Sequence, residues 1–440
     1  MDKLPDIKLL KEVNKGSPVS PISFHPALPI LVNGSYSRND LSVQFFNVRD
    51  LTKVGFINWN TDPKRFIRTV ACVAFHPRLG VMLTCDAGSD NNVKIFNIKD
   101  YDTNYNTEDT VRSVELVTLS GHRDAITCVA FHSKLPYFAT SSCDKTAKIW
   151  HYNKDNWEAT KCVLTLQHNS GSVTSIAFHP TQPKLASTAY NSGAKMWDFL
   201  VDSAAGAGAG AEAVAGEAIE PSITLGEHIQ TSCVAFHPDR NNYILAVGGY
   251  QDIHSRRHYS IKLWNYRSKE NLKCIKTLQE HTDEITSIRF HPSMPLLVSG
   301  SRDKTVKFWC IEPDVAQTSC CKSLDYDPGS TETLGVINIE FGPNHENGKD
   351  SLLATGTYSG MLRLYDIEDL RPILRGRNTS YLTPTNPDMF VFNREFRGDK
   401  PSRGKGGNNK NRNTKRNLHK LSRKRRRRTF RKKRKSHNRR

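Results

Sequence analysis

Sixteen histidines and ten cysteines are the residues of this 440-residue chain best suited to chemistry, as metal ligands, bases or nucleophiles. Their spacing directs them elsewhere. His25, His76, His132, His179, His237 and His291 each follow a phenylalanine, and five of the six precede proline. His122, His168, His228 and His281 each stand shortly before an apolar run. A reactive centre is not built once per repeat, so a structural duty is expected of all ten. Cys72, Cys128 and Cys233 lie three residues before such a phenylalanine, where Ser175, Ser287 and Asn338 stand in other copies. That position asks for a small side chain in a crowded place. No CxxC occurs, so neither a zinc cluster nor a disulfide framework is expected, and free thiols suit an intracellular, reducing compartment. The adjacent pair Cys320-Cys321, read as part of a long connection, is where a redox role would sit.

Other signatures of catalysis are missing. The chain has no glycine-rich phosphate loop, no G-x-S-x-G elbow, no H-E-x-x-H, and no carboxylate pair set apart by its spacing. No enzyme activity, metal or cofactor is expected. The run His254-Ser255-Arg256-Arg257-His258 reads as an exposed turn extension. Two histidines alone under-ligate a metal, so the run is a solvated loop or a contact patch for an acidic partner or phosphate.

What positions these residues is a repeat. A small–apolar–small–Phe–His–Pro segment recurs seven times, with phenylalanines at 24, 75, 131, 178, 236, 290 and 341, the last copy degraded to IEFGP. Each copy continues with a short apolar strand (LVNGS, MLTCD, FATSS, KLASTA, ILAVGG, LLVSGS, LLATGT). A polar turn follows, then a strand ending near an aromatic (SVQFFN, VKIFN, AKIWH, AKMWD, IKLWN, VKFWC, LRLYD). Alternation of Lys with Val, Ile and Trp is the period-two mark of a strand with one wet face, and Pro ends the strand before it. A fourth strand leads on, as in CVLTL and CIKTL. Four strands per repeat of this length is the arithmetic of a propeller blade.

On these residues the chain resembles the WD-repeat β-propeller family, with seven blades over residues 5–370. The resemblance implies that His122, Thr140, Asp144 and Trp150 form a buried hydrogen-bonded network in blade three, and His281, Ser299, Asp303 and Trp309 another in blade six. Blades four and five keep His168 with Trp197 and His228 with Trp264 but lack the turn Asp, while blades one, two and seven have Phe46, Phe96 and Tyr365 for Trp. It also implies closure: residues 6–12 are expected to supply the outer strand that blade seven lacks, removing an open edge. Trp264-Asn265-Tyr266-Arg267 resembles the W-D-x-R box of cullin-type ubiquitin-ligase substrate receptors, with Asn for Asp; Trp264 and Arg267 are the residues that reading would use.

Charge divides the chain in two. Residues 394–440 hold 23 Lys and Arg against two acids, leaving 40 bases and 42 acids in the other 393. The expected organisation is an all-β seven-bladed propeller over 1–371, with a flexible Ala/Gly-rich loop at 202–220, a propeller-associated extension at 372–396 and a disordered basic tail at 397–440. In that tail, Lys415, Arg416, Arg423, Lys424, Arg425, Arg426, Arg427, Arg428, Arg431, Lys432, Lys433, Arg434 and Lys435 suit RNA or DNA phosphates, or a nuclear or nucleolar address. Phe430 is the one aromatic among them, so sequence preference should be poor. The expectation is a non-catalytic scaffold: a monomeric propeller docking other proteins within a larger assembly, without a membrane, and a tail gripping nucleic acid. A ubiquitin-ligase receptor and a viral or ribonucleoprotein packaging component are the alternatives.

Overall fold

A computed structural model describes residues 5–35, 42–58, 70–86, 91–98, 114–168, 171–200, 220–226, 230–239, 241–268, 272–326, 335–344 and 349–377. These residues form seven antiparallel sheets of four strands each. Blade one runs Val19–Phe24, Ile30–Ser35, Ser42–Asn47 and Lys53–Asn58. Blades two to six begin at the inner strands Val70–Phe75, Ile126–Phe131, Val173–Phe178, Gln230–Phe236 and Ile285–Phe290, and blade seven at Val336–Asn344. Each inner strand packs on the inner strands of both neighbours, and that of blade one touches that of blade seven, so the ring is closed: a seven-bladed β-propeller.

The closing strand comes from the other end of the chain. Lys8–Asn14 pairs antiparallel with Met361–Asp366, from Lys8 opposite Asp366 to Asn14 opposite Met361. The expected closure is therefore present, displaced by two residues. Beyond the last blade, the short helix Arg371–Arg377 is tied back by Arg371 to Ser293, 3.0 Å, and places Leu374 fully buried against blades six and seven. The extension expected at 372–396 thus starts on the propeller; its residues from 378 lie outside the described set, as do 201–219 of the insertion, whose flanking strands Gly193–Asp198 and Ile223–Leu225 belong to blade four.

Among the described residues there is no central apolar core. Buried side chains group instead into seven clusters, each between adjacent blades; Val43, Phe45, Met82 and Phe96 lie between blades one and two, and Leu31, Phe46, Leu352 and Leu364 between one and seven. Each sheet is apolar on both sides because it is sandwiched by two others, which is why Leu296–Ser301 is buried at all six positions.

Candidate functional site

The Phe-His-Pro turns build a belt around one face. Nδ1 of five of the histidines accepts backbone N–H groups two and three residues on, as His76 does from Arg78 (3.0 Å) and Leu79 (2.9 Å) and His291 from Ser293 (3.0 Å) and Met294 (2.9 Å), and His237 accepts from Asp239 at 3.1 Å. Accepting there leaves the proton on Nε2. His132 donates it to the Gln182 carbonyl, 3.0 Å, and His76 Nε2 lies 2.7 Å from the Tyr152 hydroxyl. Every ring of the six also meets the next blade's phenylalanine edge-on, at 4.7–5.3 Å between centroids. Burial, followed by the charge of Arg78, pulls His76 down to about 3; burial likewise lowers His179 and His237 to about 4. Blade seven explains its own irregularity. Gly342 replaces the histidine because any Cβ there would come within about 2.5 Å of the Phe24 ring.

The other histidine series builds networks near the opposite face. In blade three, Trp150 Nε1 donates to Thr140 Oγ1 at 2.9 Å, Thr140 meets His122 Nε2 at 2.7 Å, and His122 Nδ1 meets Asp144 at 2.8 Å. Blade six repeats this through Trp309, Ser299, His281 and Asp303 at 2.9, 2.7 and 2.7 Å. Burial raises Asp303, but the hydrogen bond and charge of His281 outweigh it and hold the carboxyl at about 2. Blade four is incomplete: Trp197 and His168 both reach Ser187, at 2.7 and 2.6 Å, but buried His168 Nδ1 has no partner. In blade five the hydroxyl position is Val247, opposite Lys262, and His228 lies outside the described residues. Blade seven substitutes Tyr326, whose hydroxyl bonds Thr355.

Two surfaces remain for docking. The inner strands line an axial cavity of about 410 Å³, with Pro21, Cys72, Cys128, Ser175 and Asn338 among the side chains around it. One ion pair crosses its wall, Arg289 to Glu340 at 3.0 Å. At the position just before the phenylalanine the other blades carry Ser23, Ala74, Ala130, Ala177 and Ala235, so two charges stand in a ring of small residues. The second surface is the face carrying the turns between second and third strands. There Arg302 lies 5.5 Å over the Tyr358 ring and 3.1 Å from Glu284, and Tyr190 is 40% exposed. Blade five rises beside them. Its strands Ile244–Ile253 and Arg256–Asn265 are ten residues each, and their ladder runs unbroken to Ile253 opposite Arg256. His254 and Ser255 make the turn at φ 49° and 64°. The run expected to be a loop is thus the tip of a strand ribbon, because a two-residue turn with positive φ suits the strand twist.

Three stretches match the family model described as WD domain, G-beta repeat: residues 113–151, 160–198 and 272–310. Each takes in the outer strand of one blade and ends beside the network tryptophan of the next, at Trp150, Trp197 and Trp309. The sequence repeat is therefore one strand out of phase with the sheet, the same offset that puts Lys8–Asn14 in the last blade. The chain is a seven-bladed β-propeller that carries three WD repeats. Its similar proteins include Mitochondrial division protein 1 of Saccharomyces cerevisiae, 28% identical over 173 residues that make up 32% of this chain and 22% of that protein. Nuclear distribution protein PAC1 of Komagataella phaffii is 32% identical over 133 residues, 29% of this chain and 24% of the relative. Nuclear distribution protein nudF of Aspergillus flavus is 29% identical over 206 residues, 47% and 28% respectively. The matched stretches span less than a third of the length of these relatives.

The remaining sequence-derived sites divide between the propeller and residues outside the described set. Arg267 is exposed on the face of the histidine belt, 5.9 Å over the Tyr243 ring, while Trp264 packs between blades four and five. Lys415, Arg416 and the basic residues from Arg423 to Lys435 lie outside the described residues. Cys310 and Cys321 form a disulfide, Cα–Cα 5.9 Å, against the expectation of a chain without one. The reason is a misplaced strand: Ser319–Asp325, with Cys320 and Cys321, is blade six's outer strand, beside Thr305–Cys310, and not a connection. Sequence reading also passed over Arg289 and Glu340, although aligning the copies on Phe-His-Pro exposes them as the two charged exceptions at a position otherwise Ser or Ala. No three His, Cys, Asp or Glu side chains converge as a metal site among the described residues.

Proposed function

We propose that this protein is a non-catalytic docking scaffold: the propeller holds other proteins, and the C-terminal basic segment tethers the assembly to RNA or DNA, in the nucleus or nucleolus. The observation that carries the reading is the segregation of charge, 23 bases against two acids after residue 393 and near balance before it. A folded body with no net field and an arm of eleven bases between Arg423 and Lys435 are suited to different partners. The relatives support only the first half. Their names concern mitochondrial division and nuclear distribution, so the shared repeat, rather than any one role, links them to this chain.

Two modules on one chain raise the effective concentration of whatever the propeller holds near nucleic acid. The test is a salt series of RNA and duplex-DNA binding by the full chain and by a chain ending at Asn393, the end of the compact unit. Release of counterions from the arm predicts a slope of log affinity against log salt between about −5 and −10 for the full chain, and loss of binding for the shorter one. Equal binding by both chains would overturn the tether.

A further inference from the structure

The blade-five ribbon does nothing for its own blade. From Gln251 to His258 every residue is exposed, and none belongs to a buried cluster. Blades three, four and six end the equivalent second strand after six residues, at Ser142, Ala189 and Ser301. Blade five carries four further pairs, from Tyr250 opposite Tyr259 to Ile253 opposite Arg256. Its outer strand stops short, at Leu278 opposite Ile261, and the described residues that follow it do not continue the ladder. Among the described residues the ribbon's outer edge therefore stands open. A two-residue turn closes a hydrogen-bonded pair at Ile253 and Arg256, so alternation turns the N–H and C=O of Arg257 and Tyr259 outward, in line with those that Ile261 offers to Leu278.

Open edges normally end in charge, which deters pairing with uncharged strands. Here the charge is of one sign. Against His254, Arg256, Arg257 and His258 the ribbon itself carries one acid, Asp252, 3.8 Å from Arg257, and Asp283 of blade six lies beside Tyr259 at its base. Ile253, 38% exposed, gives the tip an apolar anchor. The ribbon's base joins the tyrosine and arginine surface: Arg257 lies 4.9 Å over the Tyr250 ring, and the Tyr250 and Tyr259 rings are 5.6 Å apart. Tyrosine and arginine are the side chains that dominate interface energetics.

We propose that the outer edge of Arg256–Ser260 is a docking site for an extended, acidic segment of a partner protein, added as a further strand. Main-chain bonds to Arg257 and Tyr259 would supply affinity and the basic side chains the preference for acids. Protein is favoured over single-stranded nucleic acid because bases need open aromatic faces, and guanidinium groups already cover Tyr250 and Tyr358. The basic C-terminal segment of this chain has the wrong sign to occupy the site.

The inference rests on the scaffold reading and is tested apart from it, on the full chain, by hydrogen–deuterium exchange with an octapeptide of alternating Glu and Val. Exchange is read locally, so peptide held by the basic tail does not obscure the result. The expected result is slowing by about tenfold or more across Arg256–Ser260, lost in R256E/R257E, whose melting transition stays that of the parent. Peptide that binds without protecting these amides, or no binding, overturns the site while leaving the scaffold reading to its own test. Protection by an octauridylate in place of the peptide overturns it in favour of nucleic acid.

Discussion

At the scale of the residue, the blade network is a relay with one direction. Trp150 N–H donates to Thr140, the threonine hydroxyl donates to His122 Nε2, and His122 Nδ1–H donates to Asp144, which also accepts from the Arg123 amide at 3.0 Å. Thr140 is the hinge, because a hydroxyl both accepts and donates. Thr140→Val keeps the shape but leaves the indole N–H and the imidazole Nε2 buried without partners, a loss of about 2–4 kcal/mol. Urea denaturation checks this: the midpoint should fall while the slope stays the same, and a change under about 0.5 kcal/mol would deny the network an energetic role. Blade five, which has Val247 at that position, shows that the fold itself survives. Thr140 and Ser299 were reached through the resemblance to WD repeats. The Arg289–Glu340 pair was not, because letters show that two charges share a repeat position, whereas only the closed ring brings consecutive blades' copies within 3.0 Å.

At the scale of the element, strand number and order could be read, while strand length and partner could not. The Phe-His-Pro turn and the alternating third strand mark where strands begin and end. The ribbon was hidden because His, Arg and Arg are poor strand formers that read as loop, and the ladder extends through them only because the turn geometry carries it. The closing strand was legible by elimination, and its energetics can be stated. Leu10 and Val13 pack against blades one and seven, Glu12 meets Arg363 at 2.9 Å, and the Lys15 amide donates to Gly360 O at 2.9 Å. Removing residues 1–15 strips these and bares the whole edge of Met361–Asp366. The expected outcome is a fall of about 5–10 °C in melting temperature by calorimetry, with association in size-exclusion chromatography as exposed edges pair. An unchanged transition would mean that the ring holds without this strand.

At the scale of the whole molecule, the belt makes acid sensitivity a property of the entire ring. His76, His132, His179 and His237 are all held neutral by burial, with Nδ1 committed to backbone N–H groups, and burial lowers His168, outside the belt, to about 3. A histidine whose folded pKa lies below its unfolded value of about 6.5 leaves stability whole above that pH and erodes it as pH falls toward the folded value. Each ring removes up to about 1.4 kcal/mol per pH unit over that window, and several act together, which is large against a total of about 5–15 kcal/mol. The carboxylates act later: Asp303, at about 2, loses its contribution only below its ordinary 3.8. The first acid loss therefore belongs to the belt, and the urea midpoint should fall steeply between pH 6.5 and pH 4. His179→Asn separates the roles of cap and proton. The amide oxygen can still accept from Thr181 and Gln182, as Asn47 Oδ1 does from the Arg49 amide at 2.9 Å, but it does not titrate. The variant should be weaker than the parent at pH 7, through loss of the contact with Phe236, and lose less with acid, so that the two curves converge toward pH 4. Parallel curves would place the acid sensitivity outside the belt.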